Sequence, residues 1–346
     1  MTHLGDMTPP LRLGIIGTGY IADVIATALR ETDHIRLVGV ASRRQEAAST
    51  FAARHGDVAV YSTWEKLLES NSVDAVYVAT PTNVREEICL AAAKHGKHVL
   101  GEKPFLNLES LRKITGACRA NGVAFMDATH FTHHPRTHQL RAELPERTGR
   151  LEAIRTSFFF PSADRSNIRL QPDREPTGAI GDMAWYCMRA IVEYAPAHPA
   201  VAWSHGVARK DSVTGAFIRG AGTLQFSDGL TSTWDAGYTV GACLMDLELL
   251  GEKGVITMDD FVLDWTGGFL IPDTTRPVGF TQRNGLATPS GFQRIETPSP
   301  TRQAVRMMEQ FARLAREPKS EAVEASIERS ERTQALVDTV AANLFC

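Results

Sequence analysis

The chain has 346 residues and few of the features that mark secreted, membrane or nucleic-acid-binding proteins. Its five cysteines are scattered and include no Cys-x-x-Cys pair, which argues against a disulfide framework and for reduced thiols. The formal net charge is −3, so a basic surface for nucleic acid is not expected. No apolar run is long enough to cross a bilayer, and residues 1–10 carry neither a basic nor an apolar leader segment. We therefore expect a cytoplasmic protein with neither a membrane nor a nucleic acid as partner.

The most informative segment that is present is a short apolar run, residues 11–16, followed by Gly17-Thr-Gly19-Tyr-Ile-Ala22. The run is typical of a buried parallel strand, and a helical pattern comes after it. Gly17 permits a tight turn, Gly19 lets a pyrophosphate approach the backbone, and Ala22 permits close helix–strand packing. Unpaired N–H groups at the start of the helix then face the phosphates. The segment predicts a dinucleotide-binding turn, with cofactor contacts from Gly17, Thr18, Gly19, Tyr20 and Ile21.

The first part of the chain alternates strand-like and helix-like segments, which indicates a parallel, doubly wound α/β sheet. The predicted strands are Leu11–Ile16, Leu37–Ala41, Ala75–Ala79, His98–Leu100 and Ala124–Ala128. The predicted helices are Ile21–Arg30, Gln45–His55, Trp64–Glu69, Arg85–His95 and Leu108–Asn121. We expect a Rossmann domain that binds NAD(P) over residues 1–128 and a second domain over residues 129–346.

The pattern changes in the second part, where strand-like runs are separated by turn signals. The predicted strands are Leu151–Phe160, Val201–Arg209, Phe217–Phe226, Leu230–Ala236, Leu244–Gly251 and Gly254–Met258. Helices are predicted over Met183–Tyr194, Thr301–Arg316 and Ser320–Leu344, and residues 266–300 are predicted to be surface loop. We expect an α+β domain with a large, open, mostly antiparallel sheet.

The residues after the second predicted strand bear on the choice of cofactor. An acidic residue there binds the ribose hydroxyls of NAD, whereas an arginine accommodates the 2′-phosphate of NADP. This chain has Ser42, Arg43 and Arg44 at that point and no carboxylate. A hydroxyl and two guanidinium groups suit a phosphate better than a diol, so we expect NADP rather than NAD. Solvated arginines at a helix start are the alternative.

A candidate catalytic lysine follows the strand His98–Leu100, which runs into Glu102-Lys103-Pro104. Ligands of open parallel sheets bind beyond the carboxyl ends of the strands, so we expect Lys103 beside the nicotinamide. Pro104 restricts the backbone of Lys103 to extended geometry, which helps to aim its side chain. On position alone, a surface lysine is an equal alternative.

The helical segment of the second part carries Asp182 and Tyr186, four residues apart and therefore on one helix face. Hydride transfer at a carbinol carbon needs a partner for the hydroxyl proton, and an unperturbed tyrosine, with a pKa of about 10, is a poor base at neutral pH. A nearby lysine ammonium lowers that pKa. We expect Lys103 and Tyr186 to form a catalytic pair, in which Tyr186 transfers the proton and Lys103 orients it, or the reverse. Asp182 is expected to bind a sugar hydroxyl or to position Lys103. A buried structural tyrosine is the alternative.

Together these motifs resemble those of the glucose–fructose oxidoreductase and inositol dehydrogenase family, Gfo/Idh/MocA. The shared motifs are Gly-x-Gly-x-x-Ala, Ala79-Thr80-Pro81, Gly96 to Val99, Glu102-Lys103-Pro104 and Asp182. The resemblance covers nearly the whole chain and implies a Rossmann domain followed by an α+β domain. It also implies that the chain forms a homodimer or homotetramer through contacts of the exposed sheet. It further implies that Thr80, Pro81 and Glu102 line the nicotinamide.

The chain departs from the family pattern at the proton-transfer position, where many members have histidine and this chain has Tyr186. Tyrosine there is typical of the glucose–fructose oxidoreductase, dihydrodiol dehydrogenase and D-xylose dehydrogenase branches. Arg189 stands in place of a common aspartate, which argues against an inositol-type substrate. Arg85 stands in place of a common histidine. The resemblance implies hydride transfer to or from a secondary alcohol or carbonyl of a sugar-like substrate, by an aldose 1-dehydrogenase or a keto-sugar reductase. A trans-dihydrodiol dehydrogenase and a non-catalytic NADP-binding sensor or scaffold are the alternatives.

Two further groups of polar residues are candidates for substrate contacts. The run from His130 to His138 holds four histidines, but its spacing matches no metal site, so we expect no metal. Because His133 follows the last Rossmann strand, we expect it to contact the substrate, with His130 and His138 at the surface.

Arg169 lies in a polar loop with two other arginines and is expected to contact the substrate. Arginines there would suit a diphosphate, and solvated loop arginines are the alternative.

Overall fold

The N-terminal part of the chain forms a six-stranded parallel sheet. In the computed structural model, which describes residues 9–195, 199–266, 272–273 and 275–345, the strand order is β3-β2-β1-β4-β5-β6. The strands are β1 (Leu11–Ile16), β2 (Ile35–Ala41), β3 (Ala59–Tyr61), β4 (Ala75–Val78), β5 (His98–Gly101) and β6 (Phe125–Asp127). The helices are α1 (Tyr20–Ala28), α2 (Gln45–His55), α3 (Trp64–Glu69), α4 (Thr82–Lys94) and α5 (Leu108–Asn121). The predicted Rossmann sheet is confirmed, and its order reverses between β1 and β4, where such sheets bind ligands.

Local sequence accounts fully for the boundaries of four elements, since β1, α2, α3 and α5 have the predicted bounds. Helix α4 begins three residues before the predicted Arg85 because Glu175 of the second part caps it. The backbone N–H and the hydroxyl of Thr82 donate to the Glu175 carboxylate at 3.1 and 2.5 Å. Strand β3 was not predicted, because it is a three-residue edge strand with mostly exposed side chains.

In the second part, the described residues form a nine-stranded mixed sheet in the order β14-β13-β12-β11-β7-β10-β9-β8-β15. The strands are β7 (Leu151–Phe159), β8 (Val201–Lys210), β9 (Phe217–Phe226), β10 (Thr231–Gly237), β11 (Leu247–Gly251), β12 (Val255–Met258), β13 (Gly279–Arg283), β14 (Gln293–Glu296) and β15 (Leu344–Phe345). The pairs β7–β10 and β8–β15 are parallel and the other neighbours are antiparallel. The expected mostly antiparallel sheet is confirmed.

Two segments of the second part show the largest differences from the sequence expectations. The loop predicted over residues 266–300 contains the antiparallel hairpin β13–β14 at the sheet edge; residues 267–271 and 274 lie outside the described residues. Pairing with β12 holds this hairpin in place, and its short strands lack a clear apolar alternation. Helix α6 (Pro135–Thr148) was not predicted, because Pro145 interrupts the helical pattern. Pro135 at its first position suits a helix start.

The remaining helices connect the two parts of the chain. They are α7 (Gly178–Asp182), α8 (Ala184–Tyr194), α9 (Gln303–Arg316) and α10 (Glu321–Ala342). The side chain of Gln334 on α10 accepts a hydrogen bond from the backbone N–H of Phe105 at 3.1 Å, just after the Lys103–Pro104 segment. The last long helix therefore packs back against the Rossmann part. The domain boundary after residue 128 stays a prediction.

No helix among the described residues is long and apolar enough to cross a membrane. Cys89, Cys118 and Cys187 are buried free thiols, and Cys243 is an exposed one. Cys346 and the leader expectation for residues 1–8 lie outside the described residues.

Candidate active site

The turn between β1 and α1 has the geometry that a dinucleotide requires. Gly17 has a φ of +109°, and a Cβ there would lie 2.5 Å from the carbonyl oxygen of Ala79, so a side chain does not fit. Gly19 is the N-cap residue of α1, no side chain caps the helix, and nothing lies within 4 Å of where its Cβ would be. The first N–H groups of α1 are therefore available to a pyrophosphate. Tyr20 is exposed and Ile21 half-buried beside this turn.

The residues predicted to bind a 2′-phosphate lie next to that turn. The hydroxyl of Thr18 donates to the hydroxyl of Ser42 at 3.2 Å and joins the loops after β1 and β2. Arg43 and Arg44 are exposed at the start of α2, and neither forms an ion pair with a carboxylate in the described part of the chain. This uncompensated positive charge, together with a hydroxyl, suits a phosphate monoester.

The loop after β4 brings Thr80 and Pro81 to the carboxyl edge of the sheet. The Thr80 hydroxyl is buried and has no hydrogen-bond partner among the described residues, which is expected of a group that meets a ligand. Arg85, buried on α4, donates to the carbonyl oxygens of Thr80 and Pro104 and so ties this loop to the one after β5. Sequence reasoning noted Arg85 only as a departure from the family pattern and missed this positioning role.

Glu102, directly after β5, is a buried carboxyl group with a partner that sequence reasoning did not identify. The Tyr77 hydroxyl donates to Glu102 Oε1, and the backbone N–H of Lys103 donates to Oε2 at 3.2 Å. Burial raises the pKa of Glu102, although the charge of Lys103 opposes this shift. Tyr77 lies within the apolar run of β4, where a tyrosine is usually a core residue, so the sequence held no signal for it.

Lys103 and Asp182 form a buried ion pair between the two parts of the chain. Lys103 Nζ lies 2.5 Å from Asp182 Oδ1 and 3.1 Å from the Asp182 carbonyl oxygen, and the two side chains are 9% and 13% exposed. The other carboxylate oxygen accepts from Arg169 Nε at 2.7 Å and from the Tyr238 hydroxyl at 3.1 Å. The contact with Lys103 fits the predicted positioning role of Asp182, and its other predicted role, binding a sugar hydroxyl, stays a prediction. Burial alone would lower the pKa of Lys103, but the charges of Asp182, Tyr186 and Glu102 raise it above its ordinary value.

The structure brings Lys103 and Tyr186 together, with Lys103 Nζ 4.6 Å from the centroid of the tyrosine ring. Tyr186 is 7% exposed, and Phe158 stacks on it at a centroid distance of 4.5 Å and an interplanar angle of 11°. The Lys103 charge lowers the pKa of Tyr186, as expected, but the net shift is upward. Burial raises the pKa of Tyr186 and outweighs the opposing effect of the Lys103 charge.

Asp182 and Tyr186 do not share one continuous helix, contrary to expectation. Helix α7 ends at Asp182, and α8 begins at Ala184 after a break at Met183. Both side chains nevertheless contact Lys103, because the break leaves them on the same side of the chain.

The histidine run is also arranged differently from the prediction. His130 is buried rather than at the surface, and its Nε2 lies 3.5 Å from the Tyr186 hydroxyl. The structure does not bring His133 to this group; it lines a separate cavity of about 540 Å³ with His138 and Arg306. His134 accepts a hydrogen bond from the backbone of Arg136 at the start of α6. The 3₁₀ turn His130–His133 decides which of the two rings, three residues apart, meets Tyr186, and no sequence pattern predicts that.

The arginines of the polar loop and α8 separate into site and structural residues. Arg169 is 41% exposed and reaches the site through Asp182, whereas Arg165 pairs with Asp211 at the surface. Arg189 forms a buried ion pair with Asp127 at the end of β6, which makes it part of the packing between the two parts of the chain.

Comparisons with known proteins find relatives in sequence and in fold. Residues 11–129 match the model of an oxidoreductase family with an NAD-binding Rossmann fold. The chain is 28% identical over 339 residues to scyllo-inositol 2-dehydrogenase (NADP(+)) of Bacillus subtilis, covering 95% of each chain. It is 29% identical over 281 residues to the dTDP-3,4-didehydro-2,6-dideoxy-alpha-D-glucose 3-reductase of Actinomadura kijaniata, covering 80% of this chain and 81% of the relative. A crystal structure of a 3-ketoreductase from the same organism, in complex with NADP and TDP-benzene, is 25% identical with a TM-score of 0.86 and covers 97% of this chain and 98% of the other.

Proposed function

We propose that this chain, which belongs to the Gfo/Idh/MocA family of oxidoreductases, moves hydride between NADP and a secondary alcohol or carbonyl carbon of a sugar-like substrate. One observation carries the proposal. Lys103 and Tyr186 come from the two parts of the chain and meet at the carboxyl edge of the parallel sheet. That edge is where the reactive end of a dinucleotide lies in open α/β sheets.

The residues of the Rossmann part fit NADP as the cofactor. The α1 N-terminus at Gly19 offers N–H groups for the pyrophosphate. Ser42, Arg43 and Arg44 offer a hydroxyl and two uncompensated charges for the 2′-phosphate. The unpartnered Thr80 hydroxyl, with Pro81 and Glu102, lines the nicotinamide side. The relatives named above as NADP-dependent or solved with NADP support the same choice.

Tyr186 transfers the proton that accompanies each hydride. Bound NADPH supplies hydride to a carbonyl carbon, and NADP⁺ accepts it from a carbinol carbon. In reduction, the Tyr186 O–H donates its proton to the carbonyl oxygen; in oxidation, the phenolate takes the hydroxyl proton. The Lys103 ammonium stabilises the phenolate, and Asp182 orients that ammonium. Asp182 and the half-exposed Arg169 contact the sugar.

We favour reduction of a keto-sugar over oxidation of an aldose. A tyrosine with its ordinary pKa of about 10 is protonated at neutral pH, and burial raises the pKa of Tyr186 further, so the phenol is present as a proton donor. One of the relatives is named as a 3-reductase of a dTDP-linked didehydro sugar. Oxidation of a trans-dihydrodiol is the second candidate, because the aromatic rings of Phe158 and Phe131 pack against the ring of Tyr186.

The test follows nicotinamide absorbance with a panel of substrates. NADPH is paired with free and dTDP-linked keto-sugars, and NADP⁺ with aldoses, inositols and an aromatic trans-dihydrodiol. We expect turnover with a keto-sugar and a loss of about 10²–10⁴-fold in kcat for Tyr186→Phe, with the Kd for NADPH unchanged. Tyr61→Phe, whose hydroxyl contacts only Ser70 among the described residues, is the matched control. Full activity of Tyr186→Phe would exclude the proton-transfer role, and NADPH binding without any turnover would favour a sensor or scaffold.

We also propose that a second copy of this chain covers the open face of the nine-stranded sheet, giving a homodimer or homotetramer. Trp203, Val207 and Phe345 are 52%, 59% and 62% exposed on that face. The His205 ring lies 5.8 Å from Trp203 and 5.0 Å from Phe345, so these side chains form one patch. Exposed apolar patches of this kind mark interfaces. The buried free thiols suit a reducing compartment, and we propose the cytoplasm.

A further inference from the structure

A chain of buried polar groups leads away from the hydroxyl of Tyr186. His130 Nε2 lies 3.5 Å from that hydroxyl, and His130 Nδ1 lies 2.7 Å from the side-chain nitrogen of Gln303. The same Gln303 nitrogen donates to the carbonyl oxygen of Val262 at 2.8 Å. His130 is 4% exposed and Gln303 is 1% exposed, so water does not compete for these bonds.

The direction of these hydrogen bonds follows from the groups at the end of the chain. The carbonyl oxygen of Val262 only accepts, so the Gln303 amide must face it with its NH₂ group. The second N–H of that NH₂ group then points to His130 Nδ1, which must accept. Burial lowers the pKa of His130 to about 3, so the ring is neutral and carries one proton. With Nδ1 accepting, that proton is on Nε2.

We propose that Gln303 holds His130 in the tautomer with the proton on Nε2, and that this Nε2–H group donates a hydrogen bond to the phenolic oxygen of Tyr186. The proposal rests on the proton-transfer role of Tyr186 and makes His130 a positioning residue for it. With its oxygen accepting from His130, the Tyr186 O–H is directed to another acceptor, the carbonyl oxygen of the substrate. When the phenol gives up its proton, the bond from His130 becomes charge-assisted and shortens, as catalytic hydrogen bonds that are long before substrate binds often do.

Other charged and titratable groups also act on Tyr186, and the effect of His130 must be separated from theirs. Lys103 lowers the pKa of Tyr186, whereas the charges of Glu102 and Asp182 raise it. Arg169 and Tyr77 also interact with it electrostatically. His130 differs from the charged groups because it is neutral, and from Tyr77 because its ring nitrogen faces the Tyr186 hydroxyl directly. Loss of the His130 Nε2–H group therefore raises the pKa of Tyr186 without changing the charge of the site.

The activity test compares His130→Phe, which keeps a flat ring but has no N–H, with His130→Gln, whose amide nitrogen reaches the position of Nε2. We expect His130→Phe to lose about ten- to a hundredfold in kcat and to move the limb of the pH–rate profile due to Tyr186 to higher pH, with the Kd for NADPH unchanged. His130→Gln should have most of the wild-type kcat, and the limb of its pH–rate profile due to Tyr186 should lie at the wild-type pH. His138→Phe, at an exposed position of α6, is the control with wild-type kinetics.

A second measurement reads the tautomer without activity. Long-range ¹H–¹⁵N NMR of the histidine rings, with the His130 signals identified by their absence in His130→Gln, should give a protonated Nε2 and an unprotonated Nδ1. In Gln303→Glu, a carboxylate faces Nδ1 and should draw a proton onto it.

The outcomes separate this inference from the proposed function. A protonated Nδ1 in the wild-type protein overturns the inference, and so does a His130→Phe enzyme with wild-type kcat and limb when Tyr186→Phe is inactive. Full activity of Tyr186→Phe instead overturns the proposed function. If His130→Phe does not fold, the NMR result and the kinetics of His130→Gln still test the inference about His130.

Discussion

Replacement of Asp182 by asparagine tests whether this carboxylate organises the site. Its two oxygens contact two cations: Lys103 at 2.5 Å and Arg169 at 2.7 Å. Asparagine has nearly the same shape but no charge. The substitution therefore leaves a buried ammonium and a neighbouring guanidinium without their common counterion.

The expected loss follows from the burial of each partner. The Lys103 and Asp182 side chains are 9% and 13% exposed, so this is a buried ion pair. Removing one partner of such a pair costs about 3–5 kcal/mol. Arg169 is 41% exposed, and solvent screening limits its share to at most about 1 kcal/mol. Because an asparagine oxygen still accepts from Lys103, we expect a loss near the lower end, about 3 kcal/mol at pH 7.

The loss should depend on pH in a defined direction. Burial would raise the pKa of Asp182, but the charges of Lys103 and Arg169 hold it well below its ordinary value. A carboxyl group with a depressed pKa in the folded state stabilises the protein above its unfolded-state pKa, about 3.9 for aspartate. This stabilisation is lost as the pH falls below that value toward the folded-state pKa. The difference between wild type and Asp182→Asn should therefore be constant near neutrality and shrink below about pH 4.

Urea unfolding at a series of pH values measures this difference, with Glu324→Gln as control. Glu324 pairs with Arg119 at the surface, with side chains 53% and 44% exposed, so its loss should cost less than about 1 kcal/mol. A cost for Asp182→Asn as small as that of the control, or a cost that does not decline in acid, would refute the reasoning. In the same variant, the limb of the rate profile due to Tyr186 should move to lower pH, because the Asp182 charge raises the pKa of Tyr186.

Three other substitutions test separate parts of the proposal. Gly17→Ala should destabilise the fold by about 1–3 kcal/mol in thermal melts. The new Cβ would lie 2.5 Å from the Ala79 carbonyl oxygen, and the residue has positive φ. An unchanged Tm would contradict the turn geometry. Arg43→Asp should shift the ratio of kcat/KM for NADPH to that for NADH toward NADH by about tenfold or more, with Arg36→Asp as the surface control. Equal ratios before and after would contradict the proposed 2′-phosphate site at Ser42, Arg43 and Arg44. Val207→Asp should convert the proposed oligomer to monomers in analytical ultracentrifugation while leaving NADPH binding intact; a wild-type sedimentation profile would contradict the proposed interface.

The sequence by itself determined the Rossmann part and its dinucleotide turn, because the signals there are local. An apolar run, a glycine that needs positive φ and a following helix act within about twenty residues, and β1 and α2 have the predicted bounds. The pairing of Lys103 with Tyr186 was also within reach, because the carboxyl edge of a parallel sheet collects residues that are distant in the chain.

Only the tertiary structure decided which side chains surround Tyr186 and which way its pKa moves. His130 and Gln303 are 173 residues apart and meet only because α9 packs beside the turn after β6. The net sign of the tyrosine pKa shift depends on burial, which no residue type or spacing encodes, and here burial outweighs the lysine charge. The hairpin β13–β14 likewise exists through its pairing with β12 rather than through any pattern of its own.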